Sequence, residues 1–199
     1  ILDYFGHNPI EIGDQLWLLQ EDSSQILRVQ VSPQMQLEST SDYALPVSLM
    51  GSGNWMPLQF DGVYLWTAID NPGKVVRLTP NAALDQAPIS DVQSFDIGGE
   101  IQIIHLIGDH VLVSYNTLEA LNLDIPNLLV VDRATAQARS LQVGGQGDMI
   151  TGVIPIEDTL WIGAGSLEQG KLFQMDATTL ELRQISLPPE LARFVPFSG

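Results

Sequence analysis

The chain has 199 residues, 45% of them hydrophobic, no cysteine, and a formal charge of −16 from 24 acidic and 8 basic side chains. Without cysteine there are no disulfides, thiolate metal sites or cysteine nucleophiles. Without a positive stripe there is no nucleic-acid surface, because phosphates are bound by clustered cations. Apolar runs are short, Leu128–Val131 being typical, whereas a spanning helix needs about 20 apolar residues, so this segment is not expected to insert in a membrane.

One phrase recurs four times. Ile1–Gly6 reads as the tail of an outer strand. A first repeat follows, with an inner strand near 9–12, the turn Gly13-Asp14 leading into Gln15-Leu16-Trp17-Leu18, a third strand at 25–29, the polar turn 32–34, and an outer strand near 45–49. The second repeat gives strands near 56–60, at Val63-Tyr64-Leu65-Trp66 after the turn Asp61-Gly62, at 74–78 and near 92–97. The third gives 101–107, then Gly108-Asp109-His110-Val111-Leu112-Val113, then 127–131 and 138–143. The fourth gives 149–156, then Glu157-Asp158-Thr159-Leu160-Trp161-Ile162, then 171–175 and 181–187. The blades so defined span approximately 8–50, 56–97, 101–143 and 149–187, and 191–199 reads as the first strand of a further one.

The aligned positions 17, 66, 112 and 161 are 49, 46 and 49 residues apart. That period suits a four-stranded propeller blade or a helical HEAT-type unit. Alternation such as Leu180-Glu181-Leu182-Arg183-Gln184-Ile185 has period two, and the apolar runs end at Gly, Asp, Asn and Pro, which selects strands. The expected fold is therefore all-β: a β-propeller of four four-stranded blades. Blades shield one another's faces, so the strand fragments at the two ends leave three outcomes: a segment of a larger ring, two chains joined as a homodimeric eight-bladed ring, or four blades that close alone. The tryptophans at 17, 66 and 161 are expected to pack between blades, and the Asp beside each hairpin to form the turn.

Asp61-Gly62-Val63-Tyr64-Leu65-Trp66, followed by Gly73-Lys74-Val75-Val76-Arg77-Leu78, resembles the blade repeat of the streptogramin lyase-like, NHL and YVTN group of bacterial propellers. The fourth repeat fits well, the first less closely, and the third lacks the Trp. The resemblance implies the fold, and a group that includes lyases, lactonases, sensors and adaptors. The lyases of that group resemble metal-assisted enzymes with a histidine and acid cluster at one mouth. Here His7, His105 and His110 form no metal-type pair, so no catalytic residue and no metal site carry over. His110 is expected to face solvent at its turn and His105 to line or flank the channel. No nucleophile elbow or phosphate loop is present. No cofactor is expected; an isolated Ca²⁺ in the channel, held by carbonyls and a few carboxylates, stays open.

Connections between second and third strands, and between successive blades, gather at one mouth of a propeller. They carry Glu21, Asn54, Trp55, Asp70, Asn71, Glu100, Asn116, Glu119, Asp148 and Glu168, the expected ligand-contacting set. Acids beside a loop Trp suit a cationic or sugar-like small molecule, or a protein. The third repeat carries the insertion 116–127, with Leu118, Leu121, Leu123 and Ile125; long apolar loops usually bind or cover something. The expectation is a non-enzymatic binding module, the sensor or interaction part of a larger bacterial protein in the periplasm or outside the cell, the cytoplasm being compatible with the same composition. The alternative is a propeller hydrolase or lyase with its active residues at the mouth.

Overall fold

The computed structural model describes residues 9–20, 25–32, 37–46, 57–69, 73–83, 85–97, 99–117, 125–166 and 169–189. Among them are sixteen strands and no helix. Each set of four consecutive strands forms one antiparallel sheet in simple meander order. The first sheet is β1(Ile10–Ile12), β2(Gln15–Gln20), β3(Gln25–Val31) and β4(Leu37–Ala44). The second is β5(Gln59–Phe60), β6(Leu65–Ile69), β7(Lys74–Pro80) and β8(Ile89–Asp96). The third is β9(Glu100–Ile107), β10(His110–Thr117), β11(Ile125–Asp132) and β12(Ala138–Gln142). The fourth is β13(Met149–Ile156), β14(Thr159–Gly165), β15(Gly170–Asp176) and β16(Leu182–Ile185). The chain divides into two compact units, Ile1–Asp96 and Ile97–Gly199.

Strand register reproduces the repeat. One cross-strand row reads Ile10–Trp17–Arg28–Ser41 in the first sheet and Gln59–Trp66–Arg77–Gln93 in the second. It reads His105–Leu112–Val130–Arg139 in the third and Ile154–Trp161–Gln174–Arg183 in the fourth. Directly opposed side chains on one face are the unit of sheet stabilisation. Arg77 Nη2 donates to Gln93 Oε1 at 2.6 Å, while in the fourth sheet the partners are exchanged and Arg183 Nε donates to Gln174 Oε1 at 2.7 Å.

In the first unit Trp17, Leu19 and Ile26 of the first sheet share a core with Leu65, Ile69, Val76 and Leu78 of the second. Trp17 and Trp66 are fully buried; Trp17 lies between the two sheets as expected. Trp66, on the other face of its sheet, stacks on Phe95 and carries Arg77 over its ring at 5.8 Å. In the second unit Leu112, Leu128 and Val130 pack with Leu160, Ile162, Phe173 and Met175. Trp161 is only half-buried.

The turns are also repeated. Gly13, Gly62, Gly108 and Glu157, four residues before each aligned position, all have positive φ, a conformation a non-glycine residue adopts at a cost of about 1–2 kcal/mol. Asp61 fulfils its expected role: Oδ1 accepts from the N–H groups of Val63 and Tyr64, and Oδ2 from Trp66 Nε1 at 2.7 Å. The third and fourth sheets end their third strands on one device. Asp132 Oδ1 accepts from Thr135, Asp176 Oδ1 from Thr178 and Thr179, and Ala136 and Leu180 close the turns at φ near +60°. These N–H bonds, chiefly from Thr135 and from Thr179 respectively, hold the Asp132 and Asp176 carboxyls below their ordinary pKa.

Three expectations change. The first outer strand is β4 at 37–44, not 45–49. An outermost strand buries little, so the mostly polar Leu37-Glu38-Ser39-Thr40-Ser41-Asp42-Tyr43-Ala44 serves, with Tyr43 packed onto the core and the strand held by its ladder to β3; a continuous apolar run is the wrong signal there. Residues 116–117 and 125–127 belong to strands, pairing Thr117 with Ile125 and Asn116 with Pro126, which leaves only seven residues, 118–124, between the two strands. His110 is half-buried, and its Nδ1 is enclosed without a partner among the described residues, because β10 begins on it opposite Asp132. The end fragments 1–6 and 191–199 lie outside the described residues.

Candidate functional site

Of the expected contact set, Glu21, Asn54, Trp55, Asp70, Asn71, Glu119 and Glu168 lie outside the described residues, and of Asn116 only the backbone is described. Glu100 and Asp148 are described in full, and they differ sharply. Glu100 is exposed at the start of β9, opposite Asn116. Asp148 is buried, just ahead of β13.

Asp148 Oδ2 accepts from Lys171 Nζ and from the backbone N–H of Gly145, each at 2.6 Å. Asp148 N–H donates back to Gly145 O at 3.1 Å. The loop 144–148 therefore closes around its own carboxylate, and the lysine at the start of β15 neutralises it. Gly144 has φ +84°, and a Cβ there would meet Asp148 Oδ2 at 2.6 Å, so the position needs glycine on both counts. A carboxylate so engaged supports the loop.

Lys171 was read from sequence as a strand residue, and its pairing was missed. The signal lay in the two Gly-Lys phrases. Their lysines, Lys74 and Lys171, are the chain's whole complement, and both meet carboxylates. Lys74 Nζ lies 2.9 Å from Asp96, which is largely exposed, and such a surface pair is worth little.

Beside this loop β10 and β11 run slightly past the strands that flank them. The last β9 residue opposite them is Glu100, facing Asn116, and the last β12 residue is Gln142, facing Asn127. The two strands continue to the Thr117–Ile125 pair, and Val143 N–H bonds Pro126 O at 3.0 Å. On the fourth sheet Ser166 N–H bonds Gln169 O at 3.1 Å. A Cβ at Gly165 would lie 2.3 Å from that same Gln169 carbonyl, so β14 and β15 can approach only through glycine here.

His105 lies on β9 opposite Leu112 and is half-buried. Desolvation lowers its pKa. Among the described residues no three His, Asp or Glu side chains stand together as a metal would need.

No protein-family model matches this sequence, and no curated protein matches it. Among solved structures, the Dos1 propeller superposes with a TM-score of 0.61 at 14% identity, over 85% of this chain and 43% of that one. A candidate 6-phosphogluconolactonase from Bacteroides fragilis gives 0.43 at 10% identity, over 89% and 68%. A Synechocystis apocarotenoid oxygenase gives 0.43 at 13%, over 90% and 47%. The chain thus spans less than half the length of the Dos1 propeller. At 14% identity the likeness to the Dos1 propeller speaks to fold alone, and together with the four meander sheets it makes this chain four blades of a β-propeller.

Proposed function

We propose that this chain is a binding module, the sensing or interaction part of a larger extracytoplasmic protein of the streptogramin lyase-like, NHL and YVTN type. The observation that carries the reading is the β10–β11 ribbon. It continues one residue pair past β9 and two past β12, and the seven residues 118–124 that join its strands in the sequence include Leu118, Leu121 and Leu123. A strand pair that continues past its sheet contributes little there to the shared core, and apolar residues in the segment joining such strands suit a partner's surface. Glu100 beside it, opposite Asn116, supplies a polar contact, and Glu119 and Glu168 of the same unit are the further acids the reading assigns to it. Asp148 props the adjoining loop. The ligand classes favoured are proteins and cationic or sugar-like small molecules.

The test replaces residues 118–124 by Asn-Gly, which suits a two-residue hairpin. Wild type and variant are assayed on peptide and glycan arrays, with thermal midpoints as the folding control. Saturable binding by the wild type, lost in an equally stable variant, supports the proposal. Equal binding by both overturns it, as does turnover of simple lactones or aryl esters by the wild type, which would make the chain a propeller hydrolase.

A further inference from the structure

We propose that one face of the fourth sheet docks a face of the first sheet of a second copy of this chain. The inference rests on strand register and on the exposure of the two faces, and stands apart from the binding reading given for β10 and β11.

One kind of junction occurs inside both units. The row of Trp17 in the first sheet, and that of Leu112 in the third, lies on a face that the following sheet covers; this is the leading face. The covering surface is the trailing face of the following sheet. On the second sheet it carries Leu65 and Leu78, paired across β6 and β7, and on the fourth Leu160 and Met175, paired across β14 and β15. Successive residues of a strand point to opposite faces, so register assigns a leading and a trailing set to every sheet.

The leading set is buried in three sheets and open in the fourth. Trp17, Trp66 and Leu112 are buried, while their counterpart Trp161 is only half-buried. Beside it on the same face Ile154 is 61% and Ile156 53% exposed, whereas Ile107, which holds the place of Ile156 in the third sheet, is 5% exposed. The trailing set shows the converse. Leu65, Val111 and Leu160 are buried, as are Leu78, Val131 and Met175. Their counterparts in the first sheet, Leu16 and Val29, are only half-buried, and so is Leu27 beside them.

The two open faces are thus the two halves of the junction already made inside each unit, and docking them continues that interface. Ile154 and Ile156 are exposed within a single chain, so the cover comes from another copy. Blades bury their faces only against neighbours, and adjacent exposed isoleucines beside a half-exposed tryptophan mark such a contact. Toward the outer strands both faces turn polar, with Gln174 and Arg183 on one and Thr40 and Asp42 on the other, as the rim of an interface does. Because the two faces differ, the contact is head to tail, and two copies close when each supplies both. They then hold twice four sheets, the upper end of the propeller range.

The experiment is size exclusion with light scattering on the whole chain, over a micromolar to millimolar series. A dimer is expected. I154D/I156D changes only side chains that are exposed in the single chain, and should weaken dimerisation about a hundredfold with an unchanged far-UV circular dichroism spectrum. L27D, on the trailing face of the first sheet, should do the same, and T40R, at an exposed position of that face, replaces it if L27D folds poorly. Each variant alone is then a monomer, and an equimolar mixture of the two recovers a dimer through the one junction left intact. A monomeric wild type overturns the proposal, as does a dimer that survives I154D/I156D. A first-sheet variant that still dimerises alone, or a mixture of folded variants that stays monomeric, overturns the head-to-tail contact, and an open series of larger oligomers overturns closure by two copies.

Discussion

Arg28 offers the sharpest test of how the first unit is held together. It is 1% exposed, yet it is a cation on the third strand of a blade. Its Nε donates to Ser41 Oγ at 2.9 Å, and Nη1 to Asn81 O and to Ala83 O, the latter at 2.9 Å. Nη2 donates to Gln86 O at 3.1 Å, and the guanidinium lies 5.8 Å from the Trp17 ring centroid. One side chain thus clasps the 81–86 connection of the second sheet to the first, and Gln15 Nε2 adds a bond to Ala82 O at 2.9 Å. Burial lowers the Arg28 pKa, opposed in part by Asp85. Four hydrogen bonds from a charged donor contribute roughly 1.5–3 kcal/mol each before desolvation. Burying the guanidinium costs several kcal/mol. In Arg28→Met neither term survives, and the three released carbonyls sit on a partly exposed connection where water can reach them. The net expectation is a loss of about 3 kcal/mol, at the low end of the range for breaking a buried charged network. Arg28→Lys should lose nearly as much, because an ammonium cannot serve four acceptors in this fork geometry. Urea unfolding followed by tryptophan emission measures the loss. Limited proteolysis should find faster cleavage within 81–88. A change below about 1 kcal/mol, which is the effect of an ordinary surface substitution or one lone hydrogen bond, with unaltered proteolysis, would refute the clasp.

Three other expectations follow from the loop and the half-buried imidazole. Asp148→Asn removes the charge partner of Lys171 and should destabilise by about 2 kcal/mol, and Gly144→Ala by a similar amount through its positive φ and the Asp148 contact; chemical denaturation reads both, and a neutral Gly144→Ala would show that the loop does not close on its carboxylate. For His105 the folded pKa lies below the ordinary 6.5. The proton therefore binds the unfolded chain more readily, and stability falls as pH drops from about 6.5 toward the folded pKa. His105→Gln should flatten that part of a stability-versus-pH curve measured from pH 8 to 5, and an unchanged slope would dismiss the burial of His105 as its cause.

The blade period and the identity of inner strands were legible because each is written in chemistry that repeats. Trp17, Trp66, Leu112 and Trp161 mark one register position, and positive-φ residues sit four before each. Glycine at three of those four places announces the turn in the sequence, and the fourth, Glu157, is recognised only by alignment with them. The outer strands were less legible. β4 has no apolar alternation to detect, since an edge strand buries little and is fixed by its hydrogen-bond ladder. The candidate mouth was legible as a set of connections and not as a set of contacts.

What the sequence alone decides here is local and periodic: strand, turn, repeat length, and the absence of cysteine and of a basic surface. Which side chains meet across long separations was decided by tertiary structure. Asp148 reads as one more loop acid until Lys171, on another strand, is set against it at 2.6 Å. Arg28 reads as a solvent-facing cation in an alternating strand until a connection more than fifty residues away supplies its acceptors. Periodicity constrains neighbours along the chain, whereas the pairing of charges depends on distances that exist only once the sheets have packed.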